Sequence, residues 1–349
     1  MSELRQNLAT REWVILASER AKKPMDFVSA TPRSPEPERE ARCPLCPGNE
    51  AQTGKEVLAM RSDGRQDGPG WRLRVVPNKY PALTPSPNCA VIPHRSLNGP
   101  YLRMEGCGYH EVIVEHPRHD QTLATMTVAE VQVILEAYWQ RCHQLAPDCN
   151  NLLMTIFRNY GAQAGASLRH PHSQLMTTGI VPLHVRTRLY EAQRYFDDVG
   201  TCPYCDILRH ELQARERIVL ENDGFLVFVP YAAGAPYEMW LMPKRHRASF
   251  GEVTQEELPG WAAALQGALV RLAHLLGDPD YNYVLRTAPY TMAAVPFYHW
   301  HMEILPHLKT TRAGFEIGSG VSINTVAPEA AAQALREVLS TIGGEAHEA

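Results

Sequence analysis

Four of the chain's eight cysteines fall in two Cys-x-x-Cys pairs, Cys43/Cys46 and Cys202/Cys205. Two His-x-His tracts accompany them, His170-Pro-His172-Ser-Gln174 and His299-Trp-His301-Met-Glu303. A lone Cys-x-x-Cys fits a redox pair as well as half of a metal site, but the redox reading needs a βαβ context that neither pair has. Zinc at a structural site takes four nitrogen or sulfur ligands. Each pair has at its disposal a histidine at the end of a strand and the first histidine of a His-x-His tract. The expected ligands are therefore Cys43, Cys46, His119 and His170 at one site, and Cys202, Cys205, His246 and His299 at a second. The spacing supports the parallel, because 51 residues lead from His119 to His170 and 53 from His246 to His299. The cysteine pairs precede these histidines by 76 and 44 residues, which predicts an insertion in the first copy around the Pro-rich stretch 81–100.

Alternate residues of a strand share a face, so a zinc-bound His170 would hold His172 beside it. The second ring nitrogen of a metal-bound histidine is normally hydrogen-bonded, which immobilises the strand. A neutral His172 that donates one N–H to a carbonyl then presents its other nitrogen as a nucleophile near neutral pH. Just before the tract, Asn159-Tyr-Gly161-Ala-Gln-Ala-Gly165-Ala-Ser167 is a loop of small residues whose amides and hydroxyl can approach an anionic oxygen closely. Gln174, on the face of His172, can donate to a phosphate oxygen but cannot give up a proton. That suits a leaving group that needs no general acid, such as a sugar phosphate with a second pKa of about 6.

The elements that must hold these residues are written twice. WRLRVVPN (71–78), HEVIVEH (110–116) and NNLLMTIFRN (150–159) read as strands, and Thr127-Val-Ala-Glu130 is a capping box opening a helix that should end near Pro147. From residue 202 the order recurs: LVFVPY (226–231) and YEMWLMPKRH (237–246), a capping box at Thr254–Glu257, a helix stopped by Gly277-Asp-Pro279, and YNYVLRTAP (281–289). A chance likeness does not keep register over about a hundred residues. The expectation is an α+β protein of two duplicated halves, each an antiparallel sheet with a packed helix. Residues 1–190 would carry the nucleophile and first metal site, and residues 191–349 the second.

Length agrees with this, since 349 residues suit two domains or one duplication. Lys plus Arg total 34 against 38 Asp plus Glu, a net charge of −4 with no long basic run, which argues against nucleic acid as a partner. The first twenty residues lack the apolar core of a signal peptide, and no apolar run approaches about 18 residues. A cytoplasmic protein without a membrane segment is expected. Cys89, Cys107, Cys142 and Cys149 then read as reduced, small buried hydrophobes.

With these motifs the sequence resembles the galactose-1-phosphate uridylyltransferases, a branch of the histidine-triad superfamily. The likeness runs from WVILASERAKKP through CPLCPGN, RVVPNKYPAL, HEVIVEHPRH, the N-x-G-x-x-x-G-x-S loop and HPHSQ to GFEIGSGVSIN, most of the chain. Gln174 stands where the superfamily's hydrolases usually carry His. The resemblance implies two histidine-triad-like halves and a ping-pong exchange of galactose metabolism. In it UDP-glucose loses glucose 1-phosphate to a nucleophilic histidine, and galactose 1-phosphate collects the uridylyl group. It implies His172 as nucleophile and Gln174 as phosphoryl contact, with Asn159, Gly165 and Ser167 at phosphate. Arg20 and Lys23 would meet the nucleotide phosphates, Asn78 the ribose, and Phe315-Glu316 the sugar phosphate. It further implies a homodimer with sites completed across subunits. Some relatives hold iron at the second site through acid and histidine ligands, whereas Cys202 and Cys205 argue for zinc. GFEIGSGVSIN also resembles the ADP-glucose phosphorylases, which share the nucleophile but pass an adenylyl group to inorganic phosphate; this is the alternative reading.

Overall fold

The computed structural model describes residues 2–17, 19, 23–28, 33–61, 65–85, 95–148, 151–308 and 313–345. An N-terminal hairpin, β1 (Glu3–Gln6) and β2 (Trp13–Leu16), is followed by the short helix α1 (Pro24–Phe27). The first copy then runs β3 (Leu58–Arg61), β4 (Trp71–Pro77), a small hairpin of β5 (Arg95–Asn98) and β6 (Tyr101–Met104), β7 (His110–Val114), α2 (Val128–Leu145), β8 (Leu153–Tyr160) and β9 (His172–Thr178). Two helices, α3 (Leu183–Val199) and α4 (Pro203–Ala214), precede the second copy. That copy is β10 (Ile218–Glu221), β11 (Phe225–Phe228), β12 (Met239–Pro243), α5 (Leu258–Leu276), β13 (Tyr281–Arg286) and β14 (His301–Pro306). The chain closes with α6 (Gly314–Ser319), β15 (Ser322–Asn324) and α7 (Pro328–Glu345).

Both predicted helices start at their capping boxes. The Glu130 N–H donates to Thr127 Oγ1 and the Thr127 N–H to the Glu130 carboxylate, at 3.3 and 2.8 Å. At Thr254 the box closes a 3-10 turn that leads into α5, and Gly277 ends that helix in the left-handed conformation, φ +68°. The expected insertion in the first copy holds the β5–β6 hairpin, lying between β4 and β7 where the second copy passes directly from β11 to β12. Cys107, which follows that hairpin, is disulfide-bonded, so the expectation of a reduced thiol fails there. Cys142 is free and buried as expected, while Cys89 and Cys149 lie outside the described residues.

The two copies share one ten-stranded sheet in the order β10-β11-β12-β14-β13-β8-β9-β7-β4-β3, every neighbouring pair antiparallel. The order is symmetric about the β13–β8 seam, where Tyr283 faces Arg158 and Asn282 faces Asn159. The chain ends cross over. β15 pairs in parallel with β2, and Arg5 of β1 is ion-paired with Glu329 of α7.

One face of the sheet is largely apolar. Leu73, Ile113, Ile156 and Leu175 of the first copy, with Val227, Leu241, Leu285 and Ile304 of the second, pack against the apolar stripes of α2 and α5. At its centre Tyr138 of α2 hydrogen-bonds Ser173 Oγ of β9 and Tyr283 Oη of β13, both at 2.6 Å. Ser173 lies between His172 and Gln174, so this contact helps seat the His-x-His strand. Tyr138→Phe should cost about 1 kcal/mol of stability, read as a lower urea midpoint with unchanged slope.

The opposite face distinguishes the copies. Over the second it is covered by α3 and α4, whose Leu189, Ala192, Tyr204 and Leu208 pack on Leu226, Phe228, Trp240 and Met242. Over the first it is covered in part by the loop around Cys43, Leu45 and Cys46, which packs on Trp71 and Val114. No helix of the described residues is long and apolar enough to cross a membrane.

Candidate active site and metal clusters

His172 and Gln174 leave the core face to Ser173 and Leu175 by the strand's alternation, and so project toward the partly covered face. The His172 imidazole is mostly buried and its Nδ1–H donates to the His170 carbonyl at 2.8 Å. That bond places the lone pair on Nε2. Burial lowers the imidazole's pKa, and the nearby Arg158 lowers it further against the opposing carbonyl bond. The neutral, nucleophilic form is favoured.

A cavity of about 480 Å³ opens at His172. Its lining includes Asn159 at the end of β8 and Gly161, Ala162, Gln163, Ala166 and Ser167 of the loop that follows. Gly161 and Gly165 both have φ near +85°, and a side chain at Gly161 would meet the Asp280 carboxyl group at 2.2 Å. Glycine is therefore required there on two counts. The second copy orients the loop: Asn282 Nδ2 donates to Asn159 Oδ1 at 2.8 Å and to the Ala164 carbonyl at 3.0 Å, while Asn282 Oδ1 accepts from His307 Nε2 at 2.5 Å. Neither Asn282 nor His307 carries a motif; only the β8–β13 pairing reveals them.

Gln174 and Asn78 are not part of that lining, and Gln174 Oε1 accepts from His110 Nε2 at 2.8 Å. Lys23 is exposed and its backbone N–H is taken by Asp26. Arg20 lies outside the described residues. Phe315 and Glu316 belong to α6 and do not line the cavity; the Glu316 carboxylate accepts the N–H groups of Ala313 and Ile323.

Cys43, Cys46, His119 and His170 converge in one buried cluster able to hold a metal ion. Cys46 Sγ is 3.5 Å from Nδ1 of both His119 and His170, and the two Nδ1 atoms are 3.3 Å apart. A tetrahedral ion about 2.3 Å from sulfur and about 2.0–2.1 Å from nitrogen would set such edges at about 3.5 and about 3.3 Å. The outer partners also fit, since His170 Nε2–H donates to the His116 carbonyl at 2.8 Å and leaves Nδ1 for the ion. Burial draws His170 down to about 3, so its imidazole is neutral and ready to ligate.

Cys202, Cys205 and His246 form a second cluster. Cys205 Sγ lies 3.1 Å from His246 Nδ1 and 3.6 Å from His299 Nδ1. His299 meets Cys205 but stands wider of the rest, and its Nε2 is buried without a hydrogen-bond partner. The histidine pairs match in pose nonetheless: ring centroids are 5.3 Å apart at 72° for His119 and His170, and 5.2 Å apart at 63° for His246 and His299.

His301 repeats the pose of His172, its Nδ1–H donating to the His299 carbonyl at 3.0 Å. Its surroundings differ. Trp240 stacks on it at 4.7 Å and Tyr204 lies at 5.1 Å, so the ring has no exposed surface. Glu303, in the place of Gln174, is held by Arg188 of α3 and Arg286; burial pushes its carboxyl up, but the two guanidiniums outweigh it and keep it well below the ordinary range. The second copy is thus sealed over its histidine by α3 and α4, and the first is open.

Comparison with known proteins agrees with this architecture. The family described as "Galactose-1-phosphate uridyl transferase, N-terminal domain" matches residues 1–182, and its C-terminal counterpart matches residues 154–347. The chain is 36% identical to an ADP-glucose phosphorylase of Arabidopsis thaliana over 97% of its own length and 93% of the relative's. It is 29% identical to a galactose-1-phosphate uridylyltransferase of Thermotoga maritima, covering 97% and 98%. The crystal structure of the Arabidopsis thaliana ADP-glucose phosphorylase with bound ADP-glucose superposes with a TM-score of 0.79 at 33% identity, covering 97% of this chain and 99% of that one. A uridylyltransferase structure gives 0.74 at 28%, covering 98% and 99%.

Proposed function

The chain belongs to the galactose-1-phosphate uridyl transferase family of enzymes, and from that premise we propose that it transfers a uridylyl group from UDP-glucose to galactose 1-phosphate through a covalent bond to His172. The observation that carries the reading is the pinned His172 ring, whose Nδ1–H is spent on the His170 carbonyl while the cavity bounded by the small-residue loop opens beside it. In the first half-reaction the Nε2 lone pair forms a bond to the α-phosphorus as the bond to the bridging oxygen breaks. Its electron pair leaves with glucose 1-phosphate, which departs without a proton because its second pKa is about 6. The imidazolium that develops keeps its Nδ1–H on the His170 carbonyl. The amide of Gln174 and the hydroxyl of Ser167 donate to the phosphoryl oxygens, the N–H groups of Gln163, Gly165 and Ala166 being already bonded to Asp280, Ala162 and Gly161. A phosphate oxygen of galactose 1-phosphate then displaces His172 by the reverse path.

Zinc is the ion we assign to the two clusters, from their thiolate and imidazole donors. Bound at the first cluster, it would fix His170, and through it the carbonyl that orients His172. Arg20, Lys23 and Asn78 are assigned to the nucleotide. Phe315 and Glu316, off the cavity of their own chain, are assigned to the sugar phosphate of a second copy. These assignments extend the family resemblance.

Without acceptor, UDP-glucose should release about one equivalent of glucose 1-phosphate per active site and then stall, resuming on addition of galactose 1-phosphate. Continuous release would mean hydrolysis and contradict the transferase reading. A second reading, adenylyl transfer from ADP-glucose to inorganic phosphate, is favoured by the higher identity to the Arabidopsis thaliana phosphorylase. It predicts the stall with ADP-glucose and resumption with phosphate.

His301→Ala should leave the burst intact, because that histidine is sealed from the cavity, while lowering thermal stability through the void beside Trp240 and Tyr204. A missing burst in a folded His301→Ala protein would contradict the assignment of the catalytic half.

A further inference from the structure

An amide can present either its oxygen or its nitrogen to a phosphate, and only the nitrogen donates. For Gln174 the choice is made by two backbone groups that do not touch it. The Ala82 N–H donates to His110 Nδ1 at 3.1 Å. A backbone N–H can only donate, so Nδ1 carries the lone pair and the proton of the neutral ring sits on Nε2. That Nε2–H donates to Gln174 Oε1 at 2.8 Å. Independently, the Tyr80 N–H donates to Asn78 Oδ1 at 2.9 Å, which turns the Asn78 amide nitrogen toward the same Gln174 oxygen at 3.4 Å. The two donor nitrogens, 3.1 Å apart, converge on one acceptor. With Oε1 so occupied, the Gln174 Nε2 hydrogens have no partner among the described residues and share the face of His172.

We propose that His110 is a positioning residue for the transferase: held in one tautomer by the Ala82 N–H, it turns the Gln174 amide so that its nitrogen, and not its oxygen, meets the phosphoryl group. The inference rests on nucleotidyl transfer at His172. Strand register makes the arrangement specific to the first copy. His110 lies two residues before Val112, which pairs with Gln174, and Glu238 lies two residues before Trp240, which pairs with Glu303. The second copy therefore has a carboxylate in the place of His110, and its Glu303 is held by arginines instead.

The test is the single-turnover rate of hexose 1-phosphate release from UDP-glucose and from ADP-glucose, measured beside donor affinity, metal content and melting temperature. His110→Phe should slow release by about 10- to 100-fold, less than or equal to the loss of a preorganised donor itself, with donor affinity little changed. His110→Gln, whose amide nitrogen reaches the position of Nε2, should recover most of the rate. On a Gln174→Ala background His110→Phe should add nothing, the signature of two residues acting as one. If the phenylalanine variant does not fold, His110→Asn, which retracts the donor from Gln174, replaces it in both arms. Wild-type release in the variant, or losses at His110 and Gln174 that multiply, would overturn the proposal. Absence of any release from the wild-type protein would instead overturn nucleotidyl transfer and, with it, the reaction that His110 serves.

Discussion

His172→Ala should lower turnover by on the order of 10⁴-fold or more, while the fold and the Cys/His cluster beside it stay intact. The loss is large because the other histidines lining the cavity are engaged, His119 and His170 in the Cys/His cluster and His307 with Asn282, and the histidine that repeats its pose is buried under Trp240 and Tyr204. The structural cost is small. The side chain gives up one hydrogen bond to the His170 carbonyl, worth about 1 kcal/mol. Steady-state assay, circular dichroism and metal analysis on the same sample check the prediction. A folded variant within tenfold of wild type would remove His172 from the reaction.

Disrupting the first metal cluster has the other large expected effect, and here activity and stability fall together. A structural zinc contributes about 10 kcal/mol or more to folding in small modules, and in a chain with an extended apolar core its share is smaller but still dominates any single side chain. Cys43→Ser or His119→Ala should lower the melting temperature sharply and reduce the zinc content from about two ions per chain to about one. Activity should fall because His170 both belongs to the cluster and supplies the carbonyl that holds His172. Cys202→Ser should remove the other ion with less effect on turnover, since that cluster lies in the sealed copy. Full activity and unchanged melting in metal-free protein would contradict both assignments.

Much of this site is legible in the amino-acid sequence alone. Capping boxes, strand alternation and the repeated Cys-x-x-Cys and His-x-His spacings are local signals, and α2, α5 and the His172 strand follow from them. What stayed hidden depends on register and cover. The fusion of both copies into one sheet rests on the β8–β13 pairing, which no spacing announces, and with it come the Asn282 bond to Asn159 and its support by His307. Helices α3 and α4 bury charged residues such as Arg188 and Glu211 along with their apolar ones, so their inward faces do not read as apolar stripes. They explain why only one of two matching histidines is open. His110 has no motif, and its part appears only when Ala82, Asn78 and Gln174 are seen around it.

The covalent intermediate on His172 is open to direct test. The protein is incubated with UDP-glucose labelled at the α-phosphate, without acceptor, and, in parallel, with ADP-glucose; the reaction is quenched in alkali and the labelled peptide is sequenced by mass spectrometry. The expected result is one acid-labile phosphoramidate, on His172, formed in step with release of hexose 1-phosphate and discharged by the acceptor. Label on His301, or sustained transfer with no label on the protein, would contradict it.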